Sequence, residues 1–471
     1  MRDSTPERMA RAVVDGCADC DICRYLMADT PCALFPELYR LCDREAERDG
    51  SITAGDLKKL VELCNFCALC PCPNVRADIM RAKHAFVTRD GFAPNIRILE
   101  DVERMGKICG VSPRLANTLL QGAHTGVALK RLAGIHRERK IPLLPKENFP
   151  AWARGKGLHV RQEGKGRKVA LFAGCTGQFL FPEVPKAAVK VLERNGIEVY
   201  LPEQRCCGMP SLLEGDQDLT FAFASFNMEH LEAAVDAGYD VVCSCPTCGY
   251  MLKSVLSDGA LYSAEYRDAV KGGNSSAGTD RSAGEPRISL RRRGNPVLER
   301  LYKDDGYFVS LDPLKRIKIS RHTYDLGEYL LNLHRTGNLN ERLGSVSLRV
   351  AYYPPCHLRE QKIGEPYADL LGLVPGIAME RIDGAFHCCG ISGIMGFKHD
   401  FHDVSVAMGS RLMEEIRTIQ PERLLTDCLS CRLQFHQLLP YEVSHPIEIL
   451  SEAYKNCEQG AHPRGDVTEA C

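Results

Sequence analysis

The sequence lacks the long apolar stretches that a membrane-spanning protein needs. None of its 471 residues belongs to a run of 18 apolar residues, and residues 1–15 contain no apolar core of signal-peptide length. The formal net charge is −1, so no overall field would attract nucleic acid or anionic lipid. These absences predict a cytoplasmic protein without a nucleic-acid partner, and peripheral attachment to the cytoplasmic face of the membrane is the alternative.

The sequence also lacks two signatures of a self-sufficient redox enzyme. No GxGxxG turn follows a predicted strand, so we expect no flavin or nicotinamide site. We find no constellation of carboxylates or of an activated nucleophile, and we predict no catalytic residue.

Cysteine is abundant, with 23 residues in the chain. An odd number in so long a chain argues against a secreted disulfide scaffold, and nearly all of the cysteines stand at metal-ligand spacings. This usage indicates a reducing compartment. The hydrophobic content of 44% is enough for real cores, and the length suggests two to four domains.

The dipeptide Cys-Cys followed by glycine occurs twice, and the surrounding cysteines recur about 182 residues later. Such agreement identifies an internal repeat. Each copy has one cysteine upstream and a CxxC pair downstream, and we predict two sets of metal ligands: Cys175, Cys206, Cys207, Cys245 and Cys248, and Cys356, Cys388, Cys389, Cys428 and Cys431.

Five thiolates exceed the four that a zinc ion or one cubane cluster requires. The surplus favours a polynuclear iron-sulfur cluster with an extra thiolate in each copy. A zinc site with a spare buried cysteine is the alternative.

The first 100 residues contain two CxxCxxC triplets. The predicted ligands are Cys17, Cys20, Cys23 and Cys32, and Cys64, Cys67, Cys70 and Cys72. Eight cysteines suffice for two [4Fe-4S] clusters, and the module resembles the two-cluster ferredoxin domain. The spacing to Cys32 and Cys72 departs from that pattern, so the fourth ligand of each cluster stays open. The alternative is a pair of zinc knuckles. We expect Cys42 and Cys109 to be buried core thiols.

Strands and helices alternate within each copy of the repeat, which predicts parallel sheets. The predicted strands are Lys168–Ala173, Ile197–Leu201, Tyr239–Val242, Leu348–Tyr353, Ala378–Ile382 and Arg423–Thr426. The expected fold is of the α+β or α/β class: a helical, ferredoxin-like N-terminal domain is followed by two repeated α/β domains. Ligands at the carboxyl ends of strands should gather at one edge of each sheet. We expect the following divisions: 1–100 (ferredoxin-type domain), 101–165 (helical connector), 166–258 (first repeat), 259–320 (flexible insert), 321–451 (second repeat) and 452–471 (tail).

Apolar residues recur at helical intervals in the connector between Leu115 and Ile135, and a basic cluster from Lys130 to Lys140 overlaps them. Such a helix could contact a membrane surface, but we favour packing on the protein itself with a solvated basic end. In the insert, the low-complexity stretch 271–286 and the arginines 291–293 indicate a solvated loop.

Five stretches carry a family resemblance: GIHRERKIP (134–142), CPTCGYMLK (245–253), TYDLGEYL (323–330), PCHLR (355–359) and HCCGISGIMGFK (387–398). With the cysteine sets, they resemble CCG (cysteine-rich) domain iron-sulfur proteins. That family includes the heterodisulfide reductase B subunit and the iron-sulfur subunit of anaerobic glycerol-3-phosphate dehydrogenase. The resemblance implies a non-cubane [4Fe-4S] cluster in each repeat, besides the two N-terminal [4Fe-4S] clusters.

Four clusters would make the chain an electron-transfer subunit of an oxidoreductase complex. We expect electrons to enter from a partner flavoprotein dehydrogenase and to leave to a quinone or a second carrier. The alternative is an enzyme that cleaves a disulfide substrate at the CCG clusters, in a cleft between the repeats. His357 and His387 adjoin ligand cysteines, and we predict that they contact the cofactors. Ordinary packed histidines are the alternative.

Overall fold

A computed structural model describes residues 5–460 except 19, 48–49, 68, 71, 163, 165, 272–303, 305 and 385–386. The predicted low-complexity loop beyond residue 271 and the arginines 291–293 lie outside the described residues. Within the described part of the chain, no helix is long and apolar enough to cross a membrane.

The N-terminal module is helical, as predicted. Its helices are α1 (Pro6–Ala18), α2 (Asp21–Ala28), α3 (Leu34–Ala46), α4 (Ala54–Glu62) and α5 (Pro73–Asp90). Thr53 begins α4 with a capping box: its hydroxyl accepts from the amide of Asp56, whose carboxylate accepts in turn from the Thr53 amide. Helix α1 packs against α3, α4 and α5. The two cysteine triplets therefore lie in loops and helix ends held by one small bundle.

The connector is a series of short helices instead of one long one. They are α6 (Pro94–Glu100), α7 (Val102–Cys109), α8 (Pro113–Gln121), α9 (Thr125–Leu132) and α10 (Phe149–Gly155). Pro113 begins α8, and Gly122 ends it before the predicted apolar stripe is complete. The stripe is thus divided between α8 and α9.

The first repeat forms a four-stranded parallel sheet in the order β2-β1-β3-β4. Its elements are β1 (Lys168–Phe172), α11 (Gly174–Phe179), α12 (Glu183–Arg194), β2 (Glu198–Tyr200), α13 (Met209–Glu214), α14 (Gln217–Asp236), β3 (Asp240–Cys243), α15 (Pro246–Tyr250), α16 (Ala264–Lys271), α17 (Pro313–Arg321), β4 (Thr323–Asp325) and α18 (Leu326–Arg335). Strand β1 is almost wholly buried, as expected for a central parallel strand covered on both faces.

The second repeat has the same order, β6-β5-β7-β8, and is also parallel. Its elements are β5 (Leu348–Tyr353), α19 (Cys356–Arg359), α20 (Pro366–Leu371), β6 (Ile377–Arg381), α21 (His402–Ile419), β7 (Arg423–Thr426), α22 (Leu429–Leu438), β8 (Glu442–Ser444) and α23 (Pro446–Gly460). The predicted fold class is confirmed. The fourth strand of each sheet, β4 or β8, was not predicted.

The two repeats exchange their last helices. Helix α18 follows β4 of the first sheet but packs against α20 of the second repeat, and α23 follows β8 but packs against α12 of the first repeat. The side chain of Asn195, after α12, donates to the hydroxyl of Tyr454 in α23 at 3.2 Å. Two predicted divisions need correction: β4 belongs to the first sheet although it lies beyond residue 321, and the predicted tail is helical as far as Gly460.

Parts of the predicted flexible insert are helical. Helices α16 and α17 lie within its described parts. Arg316 on α17 is fully buried, where it donates to the carbonyls of Leu256 and Asp258 at 2.6 Å each and pairs with Asp304 at 2.8 Å. These bonds satisfy the buried guanidinium and fasten this end of the insert to the first repeat.

Candidate metal centres

The cysteines of both repeats lie at the carboxyl ends of the strands, as predicted. In the first repeat, Cys175 follows β1, Cys206 and Cys207 follow β2, and Cys245 and Cys248 follow β3. The glycine after each Cys-Cys pair has a left-handed backbone, with φ of 92° at Gly208 and 87° at Gly390. A Cβ at Gly390 would stand 2.1 Å from the carbonyl oxygen of Ser405, so this turn requires glycine.

The sulfurs of each set lie against one another. In the first repeat, Cys175 Sγ is 3.4 Å from Cys206 Sγ, and Cys207 interacts with both Cys206 and Cys248. In the second, Cys431 Sγ is 3.1 Å from Cys389 Sγ. Every one of these cysteines is free of disulfide bonds. The sequence sets therefore correspond to two compact groups of thiols.

The two groups also meet each other and the N-terminal module. Cys245 of the first repeat interacts with Cys428 of the second. On the other side, Cys67 interacts with Cys388, and the side-chain amide of Asn65 donates to Cys388 Sγ at 3.2 Å. An unbroken succession of cysteines thus runs from the N-terminal module through the second repeat to the first.

The N-terminal cysteines are grouped crosswise. Cys17 lies among Cys20, Cys23 and Cys72, whereas Cys32 lies near Cys64, Cys67 and Cys70. The fourth member of each group therefore comes from the other run of the sequence. Each triplet therefore has beside it a thiol from the other run, and that thiol is the candidate for the fourth ligand.

Burial and neighbouring thiols shift the pKa of the cysteines in opposite directions. Burial raises the pKa of Cys17 to about 11 and of Cys32 to about 12. Hydrogen bonds from Cys388 and Cys431 instead lower the pKa of Cys389 to about 6, and bonds from Cys245 and Cys431 hold the pKa of Cys428 well below its usual range. In the first repeat, hydrogen bonds from Cys206 and Cys248 likewise hold the pKa of Cys207 well below its usual range. A thiolate is the metal-binding form, and each repeat therefore contains at least one thiol in which that form is favoured.

The thiols fit iron-sulfur clusters in number and kind. The N-terminal groups offer four sulfurs each and the repeats five each. A Cβ at Gly174 would lie 2.7 Å from Cys248 Sγ, so the backbone leaves this sulfur space that a larger residue would fill. Thiolate sets of this size suit iron-sulfur clusters.

A cavity of about 440 Å³ separates the cysteine groups from the connector. Nine of the ten repeat cysteines line it, all except Cys206, and so does Cys67. The opposite wall consists of apolar side chains from α6 to α9 and the loop after them, namely Ile98, Leu99, Val102, Met105, Leu119, Leu120, Leu129, Ile135, Ile141 and Leu144. Both repeats therefore face one common cavity, which has a wall of cysteine sulfurs on one side and a wall of apolar connector side chains on the other.

The two predicted histidines have different surroundings. His357 is buried, its Nε2 donates to the carbonyl of Phe66 at 3.2 Å, and its Nδ1 accepts from the hydroxyl of Thr247 at 3.0 Å. That hydroxyl oxygen is 3.5 Å from Cys428 Sγ, so His357 reaches the sulfur through Thr247. His387 pairs with Glu415 at 2.7 Å. Contact of either histidine with a cofactor stays a prediction.

Sequence reasoning missed two residues that position these cysteines. Asn65 accepts from the amide of Cys67 at 3.3 Å while it donates to Cys388. Glu103 on α7 is buried, and it accepts from the amide of Cys206 at 3.2 Å. Neither residue has a motif of its own. Cys42 and Cys109 are half-buried, which corrects the prediction of fully buried core thiols, and Cys109 lines the cavity.

Comparison with known proteins identifies the repeat. Residues 169–253 and 350–436 each match the cysteine-rich domain family, CCG, and these two stretches contain all ten repeat cysteines. Each repeat is a cysteine-rich domain. The predicted resemblance is therefore confirmed, and the CCG domains together supply the sulfur wall of the cavity.

Three curated relatives are similar to most or to more than half of the chain. The chain is 25% identical over 379 residues to the anaerobic glycerol-3-phosphate dehydrogenase C subunit of Escherichia coli K12, which covers 80% of this chain and 81% of the relative. It is 25% identical over 312 residues to the fumarate reductase (CoM/CoB) B subunit of Methanothermobacter marburgensis, covering 64% of this chain and half of the relative. It is 26% identical over 297 residues to lactate utilization protein A of an Exiguobacterium strain, covering 61% and 98%. Two of these three are named as subunits of a dehydrogenase or a reductase.

Proposed function

We propose that this chain is the iron-sulfur electron-transfer subunit of a dehydrogenase complex, which accepts electrons from a partner flavoprotein and delivers them to a quinone or a similar lipophilic carrier. The observation that carries the proposal is the unbroken succession of cysteines from the N-terminal module to the first CCG domain. The relatives named as subunits of redox complexes support it.

The N-terminal residues would hold two [4Fe-4S] clusters, one on Cys17, Cys20, Cys23 and Cys72 and the other on Cys32, Cys64, Cys67 and Cys70. The ten CCG cysteines would hold two further clusters of the non-cubane type. An iron-sulfur cluster, when bound, supplies one-electron transfer at a potential that burial and hydrogen bonds to sulfur adjust. The chain contributes the order of the sites, and Asn65 supplies a hydrogen bond to sulfur between two of them.

The cavity supports a lipophilic acceptor. Clusters on the nine cysteines that line it would fill part of its volume of about 440 Å³, and the wall left to contact an acceptor is the apolar wall of the connector. Several apolar side chains near its rim are exposed: Leu115 by 59%, Leu119 by 40% and Leu132 by 80%. An exposed apolar patch of this kind marks a surface that binds a partner or a membrane.

The exposed patch favours the membrane alternative for α8 and α9, against our expectation that the connector packs on the protein. No residue of α8 is buried. Helix α7, by contrast, does pack on the protein, because a Cβ at its Gly106 would overlap the ring of Phe179. We propose that α8 and α9 touch the surface of the membrane beside the cavity entrance, where a quinone would be found.

The decisive experiment is anaerobic purification of the full chain from its native cell. We expect iron and sulfide for four clusters, a co-purifying flavoprotein, and reduction of a short-chain menaquinone analogue when that flavoprotein's substrate is added. Stoichiometric zinc with little iron would refute the cluster assignment. If the partner reduces the clusters but the clusters do not reduce the analogue, the proposed quinone acceptor is refuted and the cluster assignment is not.

A second candidate is favoured by the shared cavity. Both CCG cysteine sets line it together, so a disulfide substrate could place one sulfur at each site, as in a disulfide-cleaving enzyme. Turnover of small disulfides by the chemically reduced protein, without any partner, would support this candidate over the electron-transfer role.

A further inference from the structure

A cluster of metal-binding side chains lies outside the cysteine groups, where the connector meets the second CCG domain. His136, Glu138 and His402 each offer one ligand atom, and these three atoms lie within 4.8 Å of one another. His402 is buried, His136 is half-buried and Glu138 is exposed. None of the three belongs to the cysteine sets or lines their cavity.

The backbone holds the two sides of this cluster together. Ile135 pairs with Lys398 in an antiparallel bridge. The amide of His136 donates to the carbonyl of Phe397 at 2.9 Å, and the amide of His399 donates to the carbonyl of Gly134 at 2.9 Å. His136 is thereby fixed opposite the turn that leads into α21, whose first residue is His402. The two imidazoles face each other because the main chain places them there.

The orientation of His402 is that of a metal ligand. Its Nδ1 lies 3.0 Å from the carbonyl oxygen of Gly396. A carbonyl only accepts, so Nδ1 carries the hydrogen and Nε2 keeps its lone pair. Histidines that bind metals almost always donate their other N–H to such an acceptor. The ring of His136 stacks on that of His402, with centroids 4.2 Å apart and planes inclined by 11°.

Two carboxylates, those of Asp403 and Glu138, act electrostatically on His136. Burial and the neighbouring His402 and His399 outweigh them and lower the pKa of His136. Glu138 pairs with Arg137 at 3.6 Å, in an exposed ion pair that contributes little and is easily exchanged for another partner. The amide of Glu138 reaches Nδ1 of His136 at 3.4 Å, the long end of the hydrogen-bond range. A metal would therefore displace only weak contacts.

We propose that His136, Glu138 and His402 bind a divalent transition metal of the zinc class, at a site that fastens the connector to the second CCG domain. Imidazole and carboxylate are ligands that zinc accepts, and three protein ligands leave one position for water. Zn–N bonds of about 2.0–2.1 Å bring the ligand atoms of a tetrahedral site to about 3.3 Å from one another. Without a metal the three ligand atoms lie within 4.8 Å of one another, so the side chains would draw closer together when a metal binds.

The test uses the full chain with its native iron, purified anaerobically, treated with a chelator and returned to one equivalent of Zn²⁺. We expect one zinc per chain, and zinc K-edge absorption should show only nitrogen and oxygen neighbours at about 2.0–2.1 Å. Sulfur neighbours at about 2.3 Å would mean that zinc occupies cysteine, and they would overturn the proposal. So would a chain that retains no zinc.

Variants identify the site independently of the cysteines. Glu138→Gln and His136→Asn should each lower zinc affinity at least tenfold while the iron content stays unchanged. His124→Gln is the matched control, because His124 is an exposed connector histidine outside the cluster, and it should bind zinc as the native chain does. Equal affinity in all four proteins, or an equal loss in the control, would refute the assignment. These results do not depend on the electron-transfer function.

Discussion

A single methyl group at position 174 should remove the cluster of the first CCG domain. Gly174 opens α11 with φ of 65°, and a Cβ there would lie 2.7 Å from Cys248 Sγ. In Gly174→Ala the left-handed backbone costs about 1–2 kcal/mol. Displacement of the sulfur adds the cost of overpacking, about 1–3 kcal/mol. The chain can relieve the overlap by moving Cys248 away from Cys207, and this movement would break the ligand set.

The matched control lies in the same helix. In Gly177→Ala the new Cβ would meet Leu429 Cδ1 at 3.5 Å, an ordinary contact, and the substitution favours the helix by roughly 0.5–1 kcal/mol. We expect iron analysis and paramagnetic resonance to show the loss of one CCG signal in Gly174→Ala, with the N-terminal signals kept and Gly177→Ala unchanged. A Gly174→Ala protein with full iron and native spectra would refute the role of Cys248 as a ligand.

Three further outcomes are expected. Cys207→Ser and Cys389→Ser should each remove about a quarter of the iron, and loss of all the paramagnetic signals in either variant would contradict separate sites. Burial, with the charges of Asp216 and Glu214, raises the pKa of Glu100 from 4.5 to about 9. The folded chain therefore keeps a proton that the unfolded chain loses, and the free energy of unfolding should fall between about pH 4.5 and 9 by at most about 1.4 kcal/mol per pH unit. In urea unfolding, Glu100→Gln should flatten this pH dependence, and equal slopes in the variant and the native chain would contradict the prediction. Leu115→Ser with Leu132→Ser should lower vesicle affinity by roughly two to four decades, since each buried leucine contributes about 1.5–3 kcal/mol, and unchanged flotation would exclude the membrane contact.

The membrane test has to avoid one arginine of the basic cluster. Arg139 is fully buried, with Nη1 donating to Gln434 at 2.6 Å and the guanidinium over the ring of Phe397 at 4.4 Å. Its replacement would lose charged hydrogen bonds of about 1.5–3 kcal/mol each and would confuse folding with binding. Arg131 and Arg137 are exposed, so they are the residues whose substitution reports on surface charge. The sequence shows a basic run but not which of its members the fold buries.

The local sequence pattern was enough to predict the central strands and the grouping of the cysteines in each repeat. Leu348–Tyr353 and Arg423–Thr426 begin and end as predicted, because a short apolar run before a ligand cysteine has few alternatives to a buried parallel strand. The outer strands Thr323–Asp325 and Glu442–Ser444 are only three residues long, and they become strands through pairing with β3 and β7. The crosswise grouping of Cys32 and Cys72 likewise depends on the packing of the α1–α5 bundle, which spacing alone does not encode.

The contact between the CCG domains could not be predicted from the local sequence pattern. This contact explains why the cysteines of the two domains share one cavity. Each domain ends in a helix that packs on the other: α18 lies on α20, and α23 lies on α12. Tyr454 of α23 contributes to this packing, since its hydroxyl donates to the carbonyl of Asn340 at 2.5 Å and accepts from Asn195. Because the exchange is reciprocal, the helix after the first strand of each domain, α12 or α20, is covered in part by the last helix of the other domain. The halves are therefore held in a fixed relation, and Cys245 meets Cys428 as a consequence of helices that follow the last strand of each sheet. A repeat that folded as two independent units would have no reason to bring its ligand sets together, so the exchange of helices is the physical basis of a common site.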